Sequence, residues 1–249
     1  MREALRRTTA MLVTVAGALS LTGCAASEKF ATFGVLENDG EETLAIGVNP
    51  EDAEQLVVGE IYSQVFAAYG RPVGMAANTS FEQSSALDAL REGEIDLVVS
   101  CTGKLLYDFD RATAKTYIGE EEEAATAPNA QRADEVYASL VATFPHDIRT
   151  VDPSPAQGCA DSEAAEVGLP QNLVPLLKEG KLSRREIKRL NFITRVMATD
   201  DIAEMAERVA NGEGVRDVTK EWLMEYAGIN PDNPRSQNDS DVEGAEAPV

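Results

Sequence analysis

Histidine occurs once in this sequence, as His146 within Phe144-Pro145-His146-Asp147. A Ser/His/Asp site would draw all of its general-base chemistry from that one side chain. A lone histidine beside a proline turn reads as a surface residue, so the sequence argues against an enzyme. Cysteine is nearly as scarce, with three in all, Cys24, Cys101 and Cys159. There is no Cys/His cluster of zinc spacing, no phosphate-cradling glycine motif and no spaced acidic set like a calcium loop. No metal or cofactor is expected. Positive charge is short as well: 22 Lys and Arg stand against 43 Asp and Glu, a net −21. That balance gives no electrostatic footprint for nucleic acid or for anionic lipid headgroups. The apolar stretch from Ala10 to Leu19 is about ten residues, against the ~20 a membrane-spanning helix needs.

That short stretch has flanks with a meaning of their own. Arg2, Arg6 and Arg7 precede it, and Leu21-Thr22-Gly23-Cys24 follows. A positive start, a short apolar run and small residues before the break form a secretory signal peptide over residues 1–23. The Leu-Thr-Gly-Cys order looks like a bacterial lipobox. In such a box the cysteine thiolate takes up a diacylglyceryl group. Cys24 is therefore the expected lipidated N-terminus, and two or three acyl chains suffice to hold a protein on a membrane. The expected location is the extracytoplasmic face of the cell membrane. In that oxidising space the even remainder, Cys101 and Cys159, points to one disulfide rather than two free buried thiols.

Residues 24–42 are small, polar or acidic and read as the lipidated cysteine with a flexible tether. The folded part is expected over 43–229. Thr43 to Val48 predicts a buried strand, and Asn49-Pro50 a turn. Val58, Ile61, Tyr62, Val65 and Tyr69 fall on one face of a helix from Ala53 to Tyr69, which Gly70 ends. Pro72 to Ala77 predicts a second strand, Phe81 to Arg91 a helix capped by Ser80, and Ile95 to Ser100 a third strand. Three such alternations predict a parallel-rich sheet flanked by helices. Beyond Gly103 the pattern weakens into an acidic run at Glu120 to Glu123, read as a solvated loop. A helix is expected over Asp134 to Thr143 and a strand over Ile148 to Val151. Ser183 with Glu186 forms a capping box. It opens a helical last third, with an apolar stripe of Val215, Val218, Trp222 and Leu223 that assigns Trp222 to the core. Residues 230–249 read as a disordered acidic tail.

Leu44 to Gly103 resembles the first lobe of substrate-binding proteins of ABC importers for glycine betaine, choline and related osmoprotectants. The matching residues are Glu54-Gln55-Leu56, Gly59-Glu60-Ile61-Tyr62, Ala89-Leu90, Gly93-Glu94-Ile95-Asp96-Leu97 and Thr102-Gly103. Leu173 to Ile229, through Pro175, Leu190-Asn191, Trp222-Leu223 and Gly228-Ile229, resembles the family's C-terminal helices. The resemblance implies a type II bilobal periplasmic-binding-protein fold that delivers a small solute, of quaternary-amine type, to an ABC transporter permease. It places ligand beyond the carboxyl ends of the strands, at Glu54, Gln55, Thr79, Ser80, Phe81, Thr102 and Tyr107. Helix N-termini there would present N–H groups to a carboxylate. Two departures stand out. The family's pattern carries an aromatic residue before Thr-Gly, where this chain has Cys101, which offers no cation–π face. Phe81, Tyr107 and Phe109 are the candidates to rebuild that wall, or else they pack into the core. The stretch between Gly103 and Leu173 is also short for a second lobe. Either that lobe is reduced, or the C-terminal helices pack on the first. An envelope lipoprotein that keeps the scaffold and acts through protein contacts is the competing expectation.

Overall fold

The first strand of the core, Leu44–Val48, is buried on both faces, and the rest of the fold is arranged to cover it. The structure is a computed structural model that describes residues 31–33, 42–78, 84–118 and 130–233. The segment expected to be a signal peptide, Cys24, the acidic run at Glu120 and the residues beyond 233 lie outside the described residues. The strands are β1 (Ala31–Phe33), β2 (Leu44–Val48), β3 (Val73–Ala77), β4 (Leu97–Cys101), β5 (Ile148–Thr150) and β6 (Leu173–Lys178). They form one sheet in the order β1-β3-β2-β4-β6-β5. β3, β2 and β4 are parallel, while β1 runs antiparallel to β3 and β6 antiparallel to β4. The tether expected over 24–42 thus contains a strand at Ala31–Phe33.

The helices are α1 (Ala53–Ala68), α2 (Ser84–Glu92), α3 (Thr102–Phe109), α4 (Arg111–Ala114), α5 (Ala130–Thr143), α6 (Glu163–Glu166), α7 (Arg184–Val196), α8 (Thr199–Ala210) and α9 (Val215–Tyr226). Side-chain alternation along the strands divides the core in two. Leu44, Ile46, Leu97, Val99 and Leu177 face α1 and the C-terminal helices. Val98, Val174 and Leu176 face a second layer built from α2, α3 and α5. The result is an α/β/α sandwich around a single sheet.

α1 is buried nearly all round, because the sheet covers one side and α7, α8 and α9 the other. That enclosure explains its polar residues. Gln64 is fully buried and donates to Thr219 Oγ1 at 2.6 Å and to the Arg216 carbonyl at 3.0 Å. At Gly59 the helix comes so close to β2 that a Cβ would sit 2.4 Å from Val48 Cγ1.

The stretch after Gly103 follows one of the two alternatives expected for it, and one strand departs from the sequence reading. Residues 104–172 build no second sheet among the described residues; they form α3 to α6 and β5, all on the one sandwich. The C-terminal helices pack on the first lobe. Leu173–Lys178, read with the C-terminal helices, is a central strand, with Pro175 opposite Val99.

Candidate functional site

The chain leaves β2 toward β3 on one side and later returns to β4 on the other. The carboxyl ends of β2 and β4 therefore mark the point where strand order reverses. In open α/β sheets ligands enter the crevice at such a point, because the loops there diverge. A concavity of about 590 Å³ lies at this place, within the size of small-molecule sites. Its walls are Asn49 to Gln55 after β2, Lys104 after β4, and Cys159 to Ser162.

Local chemistry fixes each wall. The Asn49 side chain accepts from the Glu51 N–H at 3.0 Å, which turns the chain out of β2. Asp52 caps α1 by accepting from the Gln55 N–H at 3.0 Å. Gln55 Oε1 accepts from the Asn49 N–H at 3.2 Å, closing the turn from the other side. The third wall is held by covalent chemistry. Cys101 at the end of β4 is joined to Cys159, with their Cα atoms 6.3 Å apart. Cys159 itself takes φ 52°, a left-handed conformation unusual for a residue with a side chain.

The lining is acidic. Glu51, Asp52, Glu54 and Asp161 face one cation, Lys104. Glu54 lies against Gly158, where a Cβ would meet its Oε2 at 3.2 Å. Burial raises the Glu54 pKa above the ordinary carboxylate value, and the nearby charges of Asp52 and Asp161 add to the rise. A hydrogen bond from the Cys159 backbone opposes it. A carboxylate held this way gains when a cation arrives.

Of the residues expected to touch ligand, Glu54 and Gln55 line this concavity. Thr102 and Tyr107 do not. Thr102 is fully buried, its N–H donating to the Asn172 carbonyl at 2.9 Å and its hydroxyl to the Pro170 carbonyl at 3.1 Å. The Tyr107 hydroxyl donates to Glu163 at 2.7 Å, and the Arg111 guanidinium covers its ring at 4.2 Å. Phe109 packs against the α2–α3–α5 core. Thr79, Ser80 and Phe81 lie outside the described residues. His146 is exposed in the turn before β5. Among the described residues no group of acidic, histidine and cysteine side chains is arranged to hold a metal. No described helix is long and apolar enough to cross a membrane.

Asp52, Lys104, Asp161 and Ser162 were not anticipated as site residues. One signal pointed to the last two. A bond from Cys101 to Cys159 brings the segment after Cys159 to the carboxyl end of β4.

No protein-family model matches the chain, and no curated protein matches it. Solved structures do. The apo form of YehZ from Escherichia coli superposes with a TM-score of 0.52 at 12% identity, over 74% of this chain and 98% of that one. A glycine betaine/carnitine/choline ABC transporter structure superposes with a TM-score of 0.53 at 10% identity, again over 74% and 98%. At these identities the likeness is one of fold, and the fold it shows is the periplasmic-binding-protein type.

Proposed function

We propose that this chain is an extracytoplasmic solute-binding lipoprotein of an ABC importer, anchored through Cys24, whose ligand is a small zwitterion of the quaternary-amine class. The observation that carries the reading is the acidic concavity at the β2/β4 switch point. A ligand cation placed against Glu54 and Asp161 offsets the burial and the added repulsion that raise the Glu54 pKa. A ligand carboxylate has Lys104 and the N-terminal end of α1 in the lining of the same concavity. The fold likeness to a glycine betaine/carnitine/choline transporter structure supports the class.

A second reading has its own support. Among the described residues no aromatic side chain lines the concavity. Cation–π attraction, worth up to about 2 kcal/mol per contact when desolvated, is missing there. Thr102 and Tyr107 are also committed within the fold. A non-transporting envelope lipoprotein acting through protein contacts would look like this.

Calorimetric titration of the purified protein with glycine betaine, choline and carnitine separates the two. Binding heat together with a raised melting temperature supports the solute reading, because a ligand of the native state stabilises it. Silence with all three at millimolar concentration supports the scaffold. For the anchor, Cys24→Ala leaves an unprocessed precursor or a shed protein; unchanged membrane retention contradicts it.

A further inference from the structure

The protein's net charge is −21, yet one of its concavities is basic. It measures about 650 Å³ and lies at the end of the sheet opposite Glu54. Arg71, just before β3, and Lys181, just after antiparallel β6, mark that end. Arg184, Arg185 and Arg189 of α7 complete the cationic wall, and Glu186 is the carboxylate among the lining residues.

Most of these charges have partners. Lys181 pairs with Glu42 at 2.8 Å and Asp96 at 3.2 Å. Glu186 accepts from the Ser183 N–H at 2.7 Å through one oxygen and meets Arg71 at 3.4 Å through the other. Glu186 is thus committed to the capping box and to Arg71.

Arg189 is different. It is only 7% exposed, and its guanidinium lies 3.3 Å from the centroid of the Tyr69 ring. Its Nε is buried with no hydrogen-bond partner, and it makes no ion pair among the described residues. The Arg71 Nε is buried without a partner too. Burial disfavours the Arg189 charge, and Glu186 and Tyr69 offset that only in part; buried donors in native folds are normally satisfied, and these two Nε groups are not. The first turn of α7, a helix of 13 residues, adds the positive end of its dipole at the same place.

We propose that this concavity binds a phosphate group, with Arg189 as its buried contact and Arg71, Arg184 and Arg185 as the surrounding donors. Arginine forks match the several oxygens of a phosphate better than a single lysine charge does. The volume exceeds that of a bare ion, and Tyr69 and Leu182 give an apolar wall for an attached organic part. The ligand class is a phosphate ester, either a free small molecule or the headgroup of a phospholipid. This site is independent of the solute reading and stands or falls apart from it.

The test is thermal melting of the full-length protein in neutral detergent, titrated with inorganic phosphate, glycerol phosphate and short-chain phosphatidylglycerol below its micellar concentration, each against chloride of equal ionic strength. A saturable rise in melting temperature is expected. Arg189→Met keeps the stacked bulk and removes the charge, and should abolish the rise. The exposed pair Arg184→Gln/Arg185→Gln should fold normally and weaken binding about tenfold, the scale of a lost charge-assisted hydrogen bond. Arg195→Gln, outside the concavity, should leave it unchanged. A rise with phosphatidylglycerol but not with inorganic phosphate assigns a lipid headgroup; a rise with inorganic phosphate or glycerol phosphate assigns a free ester. No rise with any of the three, or equal affinity in the Arg184/Arg185 variant, overturns the proposal.

Discussion

The Tyr62 hydroxyl lies 2.8 Å from Thr194 Oγ1, buried, across 132 residues of chain. Thr194 Oγ1 also donates to the Leu190 carbonyl at 2.7 Å. Its single proton is spent there, so Tyr62 is the donor to Thr194. This bond ties α1, next to the proposed solute site, to α7, next to the basic concavity. Removing the donor with its partner still satisfied is mild. Tyr62→Phe should cost about 1 kcal/mol. Thr194→Val strands the phenol in the core and should cost more, about 1–3 kcal/mol. Urea unfolding of both variants checks the order; an equal cost would contradict the assigned donor.

Gly59 admits α1 against β2. Alanine there places a Cβ 2.4 Å from Val48 Cγ1 and 3.3 Å from Met75 Cε. Overpacking of this kind costs roughly 1–3 kcal/mol. Gly59→Ala should lower the melting temperature, and Gly59→Ala with Val48→Ala should recover part of the loss. A neutral Gly59→Ala would mean the two elements are not held this closely.

The Cys101–Cys159 bond closes a separation of 58 residues. Cross-links of this kind contribute about 2–4 kcal/mol. Cys101→Ser with Cys159→Ser should destabilise by that order. It should also weaken solute binding, since Cys159 to Ser162 form one wall of the concavity. Intact-mass analysis after alkylation, with and without reductant, verifies the bond; no mass change on reduction removes it.

Glu54 sets a pH dependence with a definite sign. Its folded pKa lies above the ordinary 4.5, so the folded state favours the neutral acid. The stability this gives is present below 4.5 and is lost as pH rises through the folded value. Glu54→Gln should therefore gain in melting temperature relative to the native chain as pH rises above 4.5, and show no such gain below it. A bound cation reverses the preference, so solute affinity should increase over the same window. A difference between the two proteins that does not vary with pH would show that Glu54 is not desolvated.

Much of the sheet was legible. The β2–α1–β3–α2–β4 succession follows from period and turn signals alone, because each element is bounded by Gly, Pro or a cap. β6 was not legible, since proline within a run argues against a central strand. Here Pro175 keeps its carbonyl in use, accepting from the Thr150 hydroxyl at 2.7 Å. α3 was missed because it begins directly from β4, and its N-cap, Cys101, makes no side-chain capping bond. Glu54 and Gln55, expected from the family resemblance, line the concavity because they sit in the first turn of α1 after β2. Thr102 was misleading in appearance: its hydroxyl suits a ligand, but burial turns it to Pro170. Composition hid the basic concavity altogether. An excess of acid over the whole chain says nothing of Lys181, Arg184, Arg185 and Arg189 gathered within one short stretch.

The proposed solute site is tested most directly by calorimetric titration of the native protein and of Glu54→Gln with glycine betaine, choline and carnitine. The account predicts saturable binding of at least one of them at the β2/β4 crevice, weakened by Glu54→Gln and stronger at neutral than at acidic pH. No heat from any of the three at millimolar concentration, with the protein folded, would contradict it.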